Sequence, residues 1–240
     1  MTPIVELLSR DPGLGDGLPE DELGRASRLL RVNVTELDTG TSDPARWPAI
    51  SQPAFGLLLL EGYVLRESPA GAGTVVELLC PGDLLRPWDE LALLDELPPR
   101  WRVLQRCTLA VLDRPFAERA CHWPPVAVAL LERVMRRQRQ ATLLLEVRAL
   151  PRVQDRVLAV LWSLAERIGH VTPDGVEVSV RLRQADVAAL AGARRPTVNL
   201  TLRALREQGL VRSWSGGGYV LDPEVGSHVT ARFSAVPRQG

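Results

Sequence analysis

The 240-residue sequence contains no lysine. All 29 basic residues are arginine, and 29 Asp and Glu residues balance them, so the formal net charge is zero. No apolar run approaches the ~20 residues that a membrane-spanning helix needs, and the first residues lack a charged-then-apolar secretion signal. Because 45% of the residues are apolar, the chain is globular rather than disordered. We expect a cytoplasmic protein that does not enter a membrane.

Cysteine and histidine are scarce, with three residues of each. Cys80, Cys107 and Cys121 are widely spaced and odd in number, which indicates isolated buried thiols in a reducing cytosol rather than a zinc site. No histidine precedes His122. This disfavours an enzyme of the cupin-like β-roll type, whose metal site needs two or three histidines converging from strands. We therefore predict no metal site and no enzymatic activity.

The charges are unevenly distributed along the chain. Residues 1–119 carry 12 Arg against 19 acidic residues, whereas residues 120–240 carry 17 Arg against 10. An acidic front half and a basic back half predict that only the back half meets a polyanion such as nucleic acid.

The front half is predicted to be mainly β-structure. A helix start is indicated at residues 19–23, and residues 38–53 have the composition of a loop. From Phe55 onward come three short apolar runs punctuated by Gly and Pro: FGLLLLEGYVLRE, GAGTVVELLCPGDLL and WRVLQRCTLAVLDR. Their length and spacing favour an all-β sandwich or roll.

A helix of about 25 residues is predicted after Pro125, since VAVALLERVMRRQRQATLLLEVRAL contains no Gly or Pro. One stripe holds Ala127, Leu130, Leu131, Val134, Gln138, Ala141, Leu144 and Leu145, and the opposite face holds Arg133, Arg136, Arg137 and Arg139. The stripe must be buried against something. A paired helix of a second copy would suit its small residues; packing against its own β domain is the alternative, and both can hold for different faces.

After Pro151 the sequence predicts a further helix, a hairpin over 171–181 with its turn at Asp174-Gly175, and then a helix-turn-helix. The last lies in RQADVAALAGARRPTVNLTLRALREQGLVR (183–212), where a glycine, Gly192, separates two helical patterns. The predicted inward side chains are Val187, Leu190 and Ala191 on the first helix and Val198, Leu202 and Leu205 on the second. Small residues at Ala188 and Gly192 would let the two helices cross closely.

The second of these helices is predicted to bind DNA. Its outward residues are Arg194, Arg195, Thr197, Asn199, Arg203 and Arg206. An arginine fork matches the two major-groove acceptors of guanine, and asparagine can pair with adenine. Thr197 and the first amides of the helix could hold a phosphate. Two strands around a glycine tip follow (LVRSW-SGGG-YVL) and predict a wing. Residues 181–215 hold seven Arg and two acidic residues; the alternative is an arginine-rich helix pair that merely faces solvent.

The order of these elements resembles the Crp/Fnr family of bacterial transcription regulators over most of residues 18–221, through LLLLEGYVL (57–65), PGDLL (81–85) and above all residues 183–212. Gly62 and the turn at Gly82 match the glycines at which that family's roll bends. The resemblance implies an α+β chain made of an N-terminal β-roll (cyclic-nucleotide-binding-like) domain, 1–122, a long dimerisation helix, 123–150, a winged helix-turn-helix domain, 151–222, and a C-terminal tail, 223–240, which we expect to be partly disordered.

The resemblance also implies partners and site residues. It implies a homodimer, formed through residues 125–149, that reads a pseudo-palindromic operator in double-stranded DNA. Arg195, Asn199 and Arg203 fall where family members contact bases, and Thr197 where they touch phosphate. Pro196 replaces a glutamate that commonly reads a base, so the operator should differ from the best-known one. Arg194 replaces a small hydroxyl residue that usually caps the helix.

The resemblance does not identify an effector. Cyclic-nucleotide members carry a glycine-glutamate pair where this chain has Arg86-Pro87-Trp88, and an arginine-serine pair near Leu97-Pro98-Pro99-Arg100; this argues against cAMP, although Arg100 or Arg102 could still meet a phosphate. The lack of an N-terminal cysteine cluster and of roll histidines argues against an iron–sulfur cluster and haem, although Cys80 or Cys107 could act as a single ligand.

Two kinds of effector remain open. Arg86, Trp88, Arg100 and Trp101 could line a pocket for a cyclic dinucleotide or another anion, or could simply pack around a Pro-rich loop. The roll could instead bind a protein partner, and contact with RNA polymerase or another protein also stays open.

Overall fold

The computed structural model describes residues 3–48, 50, 54–70, 73–88, 98–214 and 217–234. The chain folds as two compact units, Met1–Gln140 and Ala141–Gly240. Their boundary falls inside the long helix, so the domain limits predicted from the sequence remain predictions. Across the described residues, no helix has the length and apolarity needed to cross a membrane.

The first unit is a β-roll flanked by helices, as predicted. Its strands are β1 (Ile4–Glu6), β2 (Arg31–Leu37), β3 (Gly40–Ser42), β4 (Gly56–Ala70), β5 (Gly73–Leu79), β6 (Leu84–Leu85) and β7 (Arg100–Leu112). Its helices are α1 (Leu7–Arg10), α2 (Glu20–Leu29), α3 (Arg114–Ala120) and the first part of α4 (Pro124–Ala149). The loop predicted over 38–53 is partly wrong, because β3 and a 3-10 turn at Pro44–Arg46 lie within it.

One antiparallel sheet organises this unit in the order β1-β2-β7-β4-β5, with β3 added to β7 and β6 added to β4. The pairing of β4 with β7 changes register on both sides of Gly62, whose φ is +88°. The bend predicted at this glycine is therefore present, and it arises from an irregularity in the longest strand pair of the roll.

Alternate residues of β4 face two separate clusters of the core. Leu58 packs into a cluster with Phe116 and the residues of α1 and α2, whereas Leu57 and Leu59 belong to a second cluster that contains Trp101. Since successive side chains of a strand point to opposite faces, a run of four leucines can form a strand only when both faces are covered.

The first half of α4 packs on the roll through one apolar face and two arginines. Val126 and Leu130 are buried in the first cluster. Arg133 lies 2.8 Å from the Asp11 carboxylate, and Arg137 donates to both oxygens of Glu77, at 2.7 and 2.9 Å. The burial of Leu130 on the roll agrees with the alternative that part of the stripe packs against its own β domain. The sequence interpretation was wrong for Arg133 and Arg137, which it placed on the opposite face but which also turn toward the roll.

The second unit contains the rest of α4, then α5 (Val153–Ile168), β8 (His170–Thr172), β9 (Gly175–Val178), α6 (Gln184–Leu190), α7 (Arg195–Glu207), β10 (Val211–Ser213), β11 (Tyr219–Leu221) and α8 (Val225–Ser234). Its strands form an antiparallel sheet in the order β10-β11-β9-β8. The predicted hairpin at Asp174-Gly175 and the two strands of the wing are present; Ser215 and Gly216 of the wing tip lie outside the described residues.

The expectation of an irregular C-terminal tail is wrong for residues 225–234, which form α8. Val225 is fully buried, and Gly226 approaches the ring of Trp162 on α5 so closely that a Cβ would lie 2.4 Å from it. Tertiary packing against α5 therefore folds this segment despite its weak periodicity. Residues 235–240 lie outside the described residues.

Candidate nucleic-acid interface

Helices α6 and α7 bury the side chains that the sequence predicts. Val187, Leu190 and Ala191 of the first helix are buried, and so are the three apolar residues of α7. These three, Val198, Leu202 and Leu205, recur at helical spacing and form one seam against the rest of the unit. The outer face of α7 is left free of the core.

A glycine ends each of the two helices in the same way. Gly192 follows α6 with φ +58°, and Gly209 follows α7 with φ +74°. After α6 the amide of Ala193 donates to the Ala188 carbonyl at 2.9 Å; after α7 the amide of Leu210 donates to the Leu205 carbonyl at 3.1 Å. Both endings are Schellman motifs, in which the left-handed residue lets the chain satisfy the last carbonyls of the helix.

Two arginines that the sequence did not single out hold the turn between α6 and α7. Arg148, at the end of α4, donates to the Ala189 carbonyl at 3.0 Å, and Arg156 on α5 donates to the Gly192 carbonyl at 3.0 Å. The carbonyl end of a helix is electronegative, so a guanidinium stabilises it. The atoms nearest to a Cβ built at Gly192 belong to Arg148, not to α7; the close crossing predicted at this glycine is a contact with Arg148.

Asp186 caps the start of α6. Its carboxylate is 3% exposed and accepts the backbone amide of Arg183 at 2.8 Å. The Arg183 side chain completes the contact at 3.3 Å. The spacing is that of the reciprocal half of a capping box, and this signal in the sequence could have identified Asp186.

The six residues predicted to bind DNA are all exposed on or beside α7: Arg194, Arg195, Thr197, Asn199, Arg203 and Arg206. Arg194 occupies the N-cap and its side chain makes no capping hydrogen bond, as its replacement of a hydroxyl residue predicts. The Nε of Arg203 lies 3.0 Å from the carboxylate of Glu207, so part of its charge is already offset. Leu200, which the sequence interpretation passed over, is 71% exposed on this helix.

The wing is continuous with the sheet behind it. Strand β11 pairs with β10 on one side and β9 on the other, and Arg212 of β10 donates to the Asp174 carbonyl of the opposite hairpin. Tyr219 of β11 is buried, which raises the pKa of its hydroxyl, while the charge of Arg206 on α7 acts in the opposite direction. The wing strands are therefore fixed at the side of α7.

A second exposed face lies on α4. Val128, Leu131 and Met135 of the first unit are 55%, 59% and 48% exposed, and Leu145 of the second unit is 62% exposed. Gln138 and Thr142 continue the row. The six positions are spaced three and four residues apart in alternation, which is the heptad spacing of a coiled coil. Of the stripe predicted from the sequence, Leu131, Gln138 and Leu145 lie on this exposed heptad face and Leu130 is buried. Val128, Met135 and Thr142 were not part of that prediction.

Two of the four residues predicted to line a ligand pocket lie together in the described part of the roll. Arg100 and Trp101 line a cavity of about 680 Å³ in the roll, together with residues of β3, β4 and the Pro-rich segments. Arg86 does not line this cavity and donates instead to the Ala54 carbonyl at 2.9 Å. Trp88 is outside the lining and 37% exposed. The indole of Trp101 packs edge-on against Trp47, with ring centroids 5.0 Å apart.

The cysteines and other metal-ligating side chains do not gather. Among the described residues, no group of three or more His, Cys, Asp or Glu could hold a metal ion. Cys80 and Cys107 are buried, as predicted, but Cys121 is exposed, so the prediction of three buried thiols is wrong for it. Burial raises the pKa of Cys107 to about 12, which keeps that sulfur protonated.

Comparisons with known proteins agree with this geometry. The model of the Crp-like helix-turn-helix domain matches residues 155–225. The cyclic AMP receptor protein of Thermus thermophilus is 30% identical to this chain over 156 residues, which cover 64% of this chain and 68% of that protein.

Two solved structures share the fold. A transcriptional regulator of the CRP/FNR family from Thermus thermophilus is 20% identical, with a TM-score of 0.58, and the match covers 83% of this chain and 100% of that one. A cyclic nucleotide-binding domain containing protein from Listeria monocytogenes is 15% identical, with a TM-score of 0.61, covering 89% and 97%. The curated relative shows the family as well as the fold: this chain belongs to the Crp/Fnr family of transcription regulators.

Proposed function

We propose that this protein is a dimeric regulator that binds a specific pseudo-palindromic operator in double-stranded DNA by placing α7 in the major groove. The observation that carries the proposal is the outer face of α7, where all six predicted contact residues are exposed while the opposite seam is buried. A helix of this kind docks with its N-terminal residues on the base edges. The wing at its side supplies backbone contacts.

The heptad face of α4 supports the dimer. Four large apolar side chains of one helix, Val128, Leu131, Met135 and Leu145, are about half exposed or more. Because full burial of such a side chain from water is worth roughly 1.5–3 kcal/mol, covering the exposed half of each would contribute roughly 1 kcal/mol. A second copy of the same face, related by a two-fold axis, covers them through residues 125–149 and presents two copies of α7 to half-sites about 34 Å apart.

The individual residues have distinct roles in the proposal. Arg195, Asn199 and Arg203 contact bases, whereas Thr197, Arg194 and Arg206 contact phosphates. Because Pro196 stands where the best-known family members have a glutamate, the operator differs at the base pair that this glutamate reads.

The effector, in our proposal, is not cAMP, although the Thermus relative bears the name cyclic AMP receptor protein. Arg86-Pro87-Trp88 stands where a ribose-binding glutamate would be needed, and Arg86 is engaged with the Ala54 carbonyl. We propose neither haem nor an iron–sulfur cluster as the effector, because the sequence has no cysteine before Cys80 and no histidine before His122. The alternatives are a cyclic dinucleotide or other anion, or a protein partner of the roll such as RNA polymerase, acting in the cytoplasm.

The test of the reading helix is a comparison of two neighbouring arginines. After selection of the bound sequences from genomic fragments, the Arg195→Ala variant should lose its preference for the operator, because a base contact is gone. Arg194→Ala should weaken binding to all DNA sequences by the same factor and lower the slope of the logarithm of the binding constant against the logarithm of the salt concentration by about one. Arg114→Ala, in the first unit, is the matched control and should change neither. An unchanged footprint for Arg195→Ala would refute its role.

The test of the dimer is a charge on the heptad face. Leu131→Glu should turn the dimer into a monomer in light scattering and abolish operator binding, because two buried like charges cannot face each other across the axis. Glu132→Gln, one position away, is the control. Operator binding by a variant that is monomeric on DNA would refute the dimeric arrangement.

A further inference from the structure

The centre of the outer face of α7 is apolar rather than basic. The buried seam of the helix is formed by Val198, Leu202 and Leu205. At about 100° per residue, Leu200 lies within roughly 15° and Pro196 within roughly 30° of the line directly opposite that seam. The side chain farthest from the core in the second turn is therefore a leucine, 71% exposed.

The polar residues of α7 follow the two flanks of this apolar centre. Arg195, Asn199 and Arg203 recur every four residues along one flank, and Thr197 and Thr201 follow the other. Thr201 already donates its hydroxyl to the Thr197 carbonyl at 2.9 Å. If α7 entered the major groove with the centre of its outer face foremost, Leu200 would reach the floor of the groove and the arginines would lie to one side of it.

Leu200 is the one large apolar side chain exposed on α7 in the part of the chain that the structure describes. A single exposed leucine is ordinary on a protein surface. Its position is what distinguishes it, because Pro196 lies one turn before it and the two form an apolar pair at i, i+4 on the side of the helix that approaches the bases.

From this placement, and on the basis of the proposed function, we infer that Leu200 is a specificity-determining residue that reads the C5 methyl group of a thymine in each operator half-site. Thymine alone presents a methyl group in the major groove, and apolar side chains recognise it. The isobutyl group gains burial against that methyl. A base pair without that methyl group loses this burial, and the loss is the basis of the discrimination.

The experiment removes the methyl group and nothing else. Once the operator has been selected from random DNA with the full-length protein, each thymine of a half-site is replaced in turn by deoxyuracil. We expect one position at which this replacement weakens binding of the unaltered protein about three- to tenfold, as the loss of one buried methyl group predicts. At the other thymines the change should stay below about twofold.

The second arm assigns that methyl to Leu200. In the Leu200→Ala variant the same replacement should change affinity by less than about twofold, and selection should no longer favour thymine at that position. Val171→Ala, which removes an apolar group that is 88% exposed on β8, is the control and should keep the full sensitivity to deoxyuracil. Because Leu200 is outside the core, circular dichroism of the variant should match that of the parent protein.

The outcomes separate the inference from the proposal beneath it. If deoxyuracil is tolerated at every thymine position while the preference for the operator remains, the inference about Leu200 is overturned but the proposed function is not. The inference is also overturned if the parent protein and Leu200→Ala are equally sensitive to deoxyuracil, because another residue would then make the methyl contact. It is overturned as well if Leu200→Ala changes the oligomeric state without DNA, because the leucine would then belong to a protein interface. If the protein shows no sequence preference at all, the proposed function fails first.

Discussion

Replacing Gly192 by alanine should destabilise the helix-turn-helix more than the matched replacement of Gly209. Both glycines end a helix with positive φ, at +58° and +74°, where a Cβ costs roughly 1–2 kcal/mol. Their surroundings differ. A Cβ at Gly209 meets nothing within 4 Å, whereas one at Gly192 lies 3.0 Å from the Cγ of Arg148.

The difference between the two variants therefore measures the contact with Arg148. To admit the methyl group, this side chain must shift from a position in which its guanidinium donates to the Ala189 carbonyl at 3.0 Å. A shift of a few tenths of an ångström weakens that charge-assisted hydrogen bond rather than breaking it, at a cost of about 1 kcal/mol. We expect the free energy of opening to fall by about 1–2 kcal/mol in Gly209→Ala and by about 2–3 kcal/mol in Gly192→Ala.

Native-state hydrogen exchange of the α7 amides measures this quantity in the full-length protein, even if the two units do not unfold together. An Arg148→Ala background supplies the control, because there the penalty of Gly192→Ala should fall to that of Gly209→Ala. Equal penalties in the unaltered background, or a Gly192 penalty that Arg148→Ala does not reduce, would refute the steric reasoning.

Two further predictions concern the first unit. Arg137→Met should lower the free energy of unfolding of the roll by about 1–3 kcal/mol in urea denaturation, because it leaves the partly buried Glu77 carboxylate without its bidentate partner. Adding Glu77→Gln to this variant should recover part of the loss. If Arg137→Met alone caused no loss, the assigned ion pair would be contradicted. At pH 8 a thiol reagent should label only Cys121 quickly, since Cys80 and Cys107 are buried. Burial also raises the pKa of Cys107 to about 12, so only about one Cys107 side chain in ten thousand is a thiolate at this pH. All three should react in denaturant, and a second fast thiol in the folded protein would disprove the burial.

The sequence was most informative where structure depends on neighbours along the chain. The inward residues of α7, such as Val198 and Leu202, follow from helical periodicity, and the end of α6 follows from a glycine placed after its last apolar residue. The β-roll was predictable for the same reason, because its apolar runs are short and bounded by Gly and Pro. Both predictions use information within about ten residues.

The features that were missed depend on contacts between distant residues. Arg148 donates to a carbonyl 41 positions away, and Arg137 binds a carboxylate 60 positions away. A helical sequence pattern does not show which distant group an arginine will bind. Helix α8 forms where α5 offers it a surface, at Trp162. The exposure of Leu200, by contrast, was predictable from local information, because the seam that periodicity gives for α7 places this residue on the opposite side of the helix; its apolar character alone had suggested a core position.

The guanidinium groups of Arg148 and Arg156, which donate hydrogen bonds to the turn after α6, restrict the movement of α7. Arg148 and Arg156 bind that turn from two different helices, within the same unit. The turn that leads into α7 is consequently held from two sides. A displacement of α7 relative to α4 and α5 would therefore have to break at least one of these two hydrogen bonds.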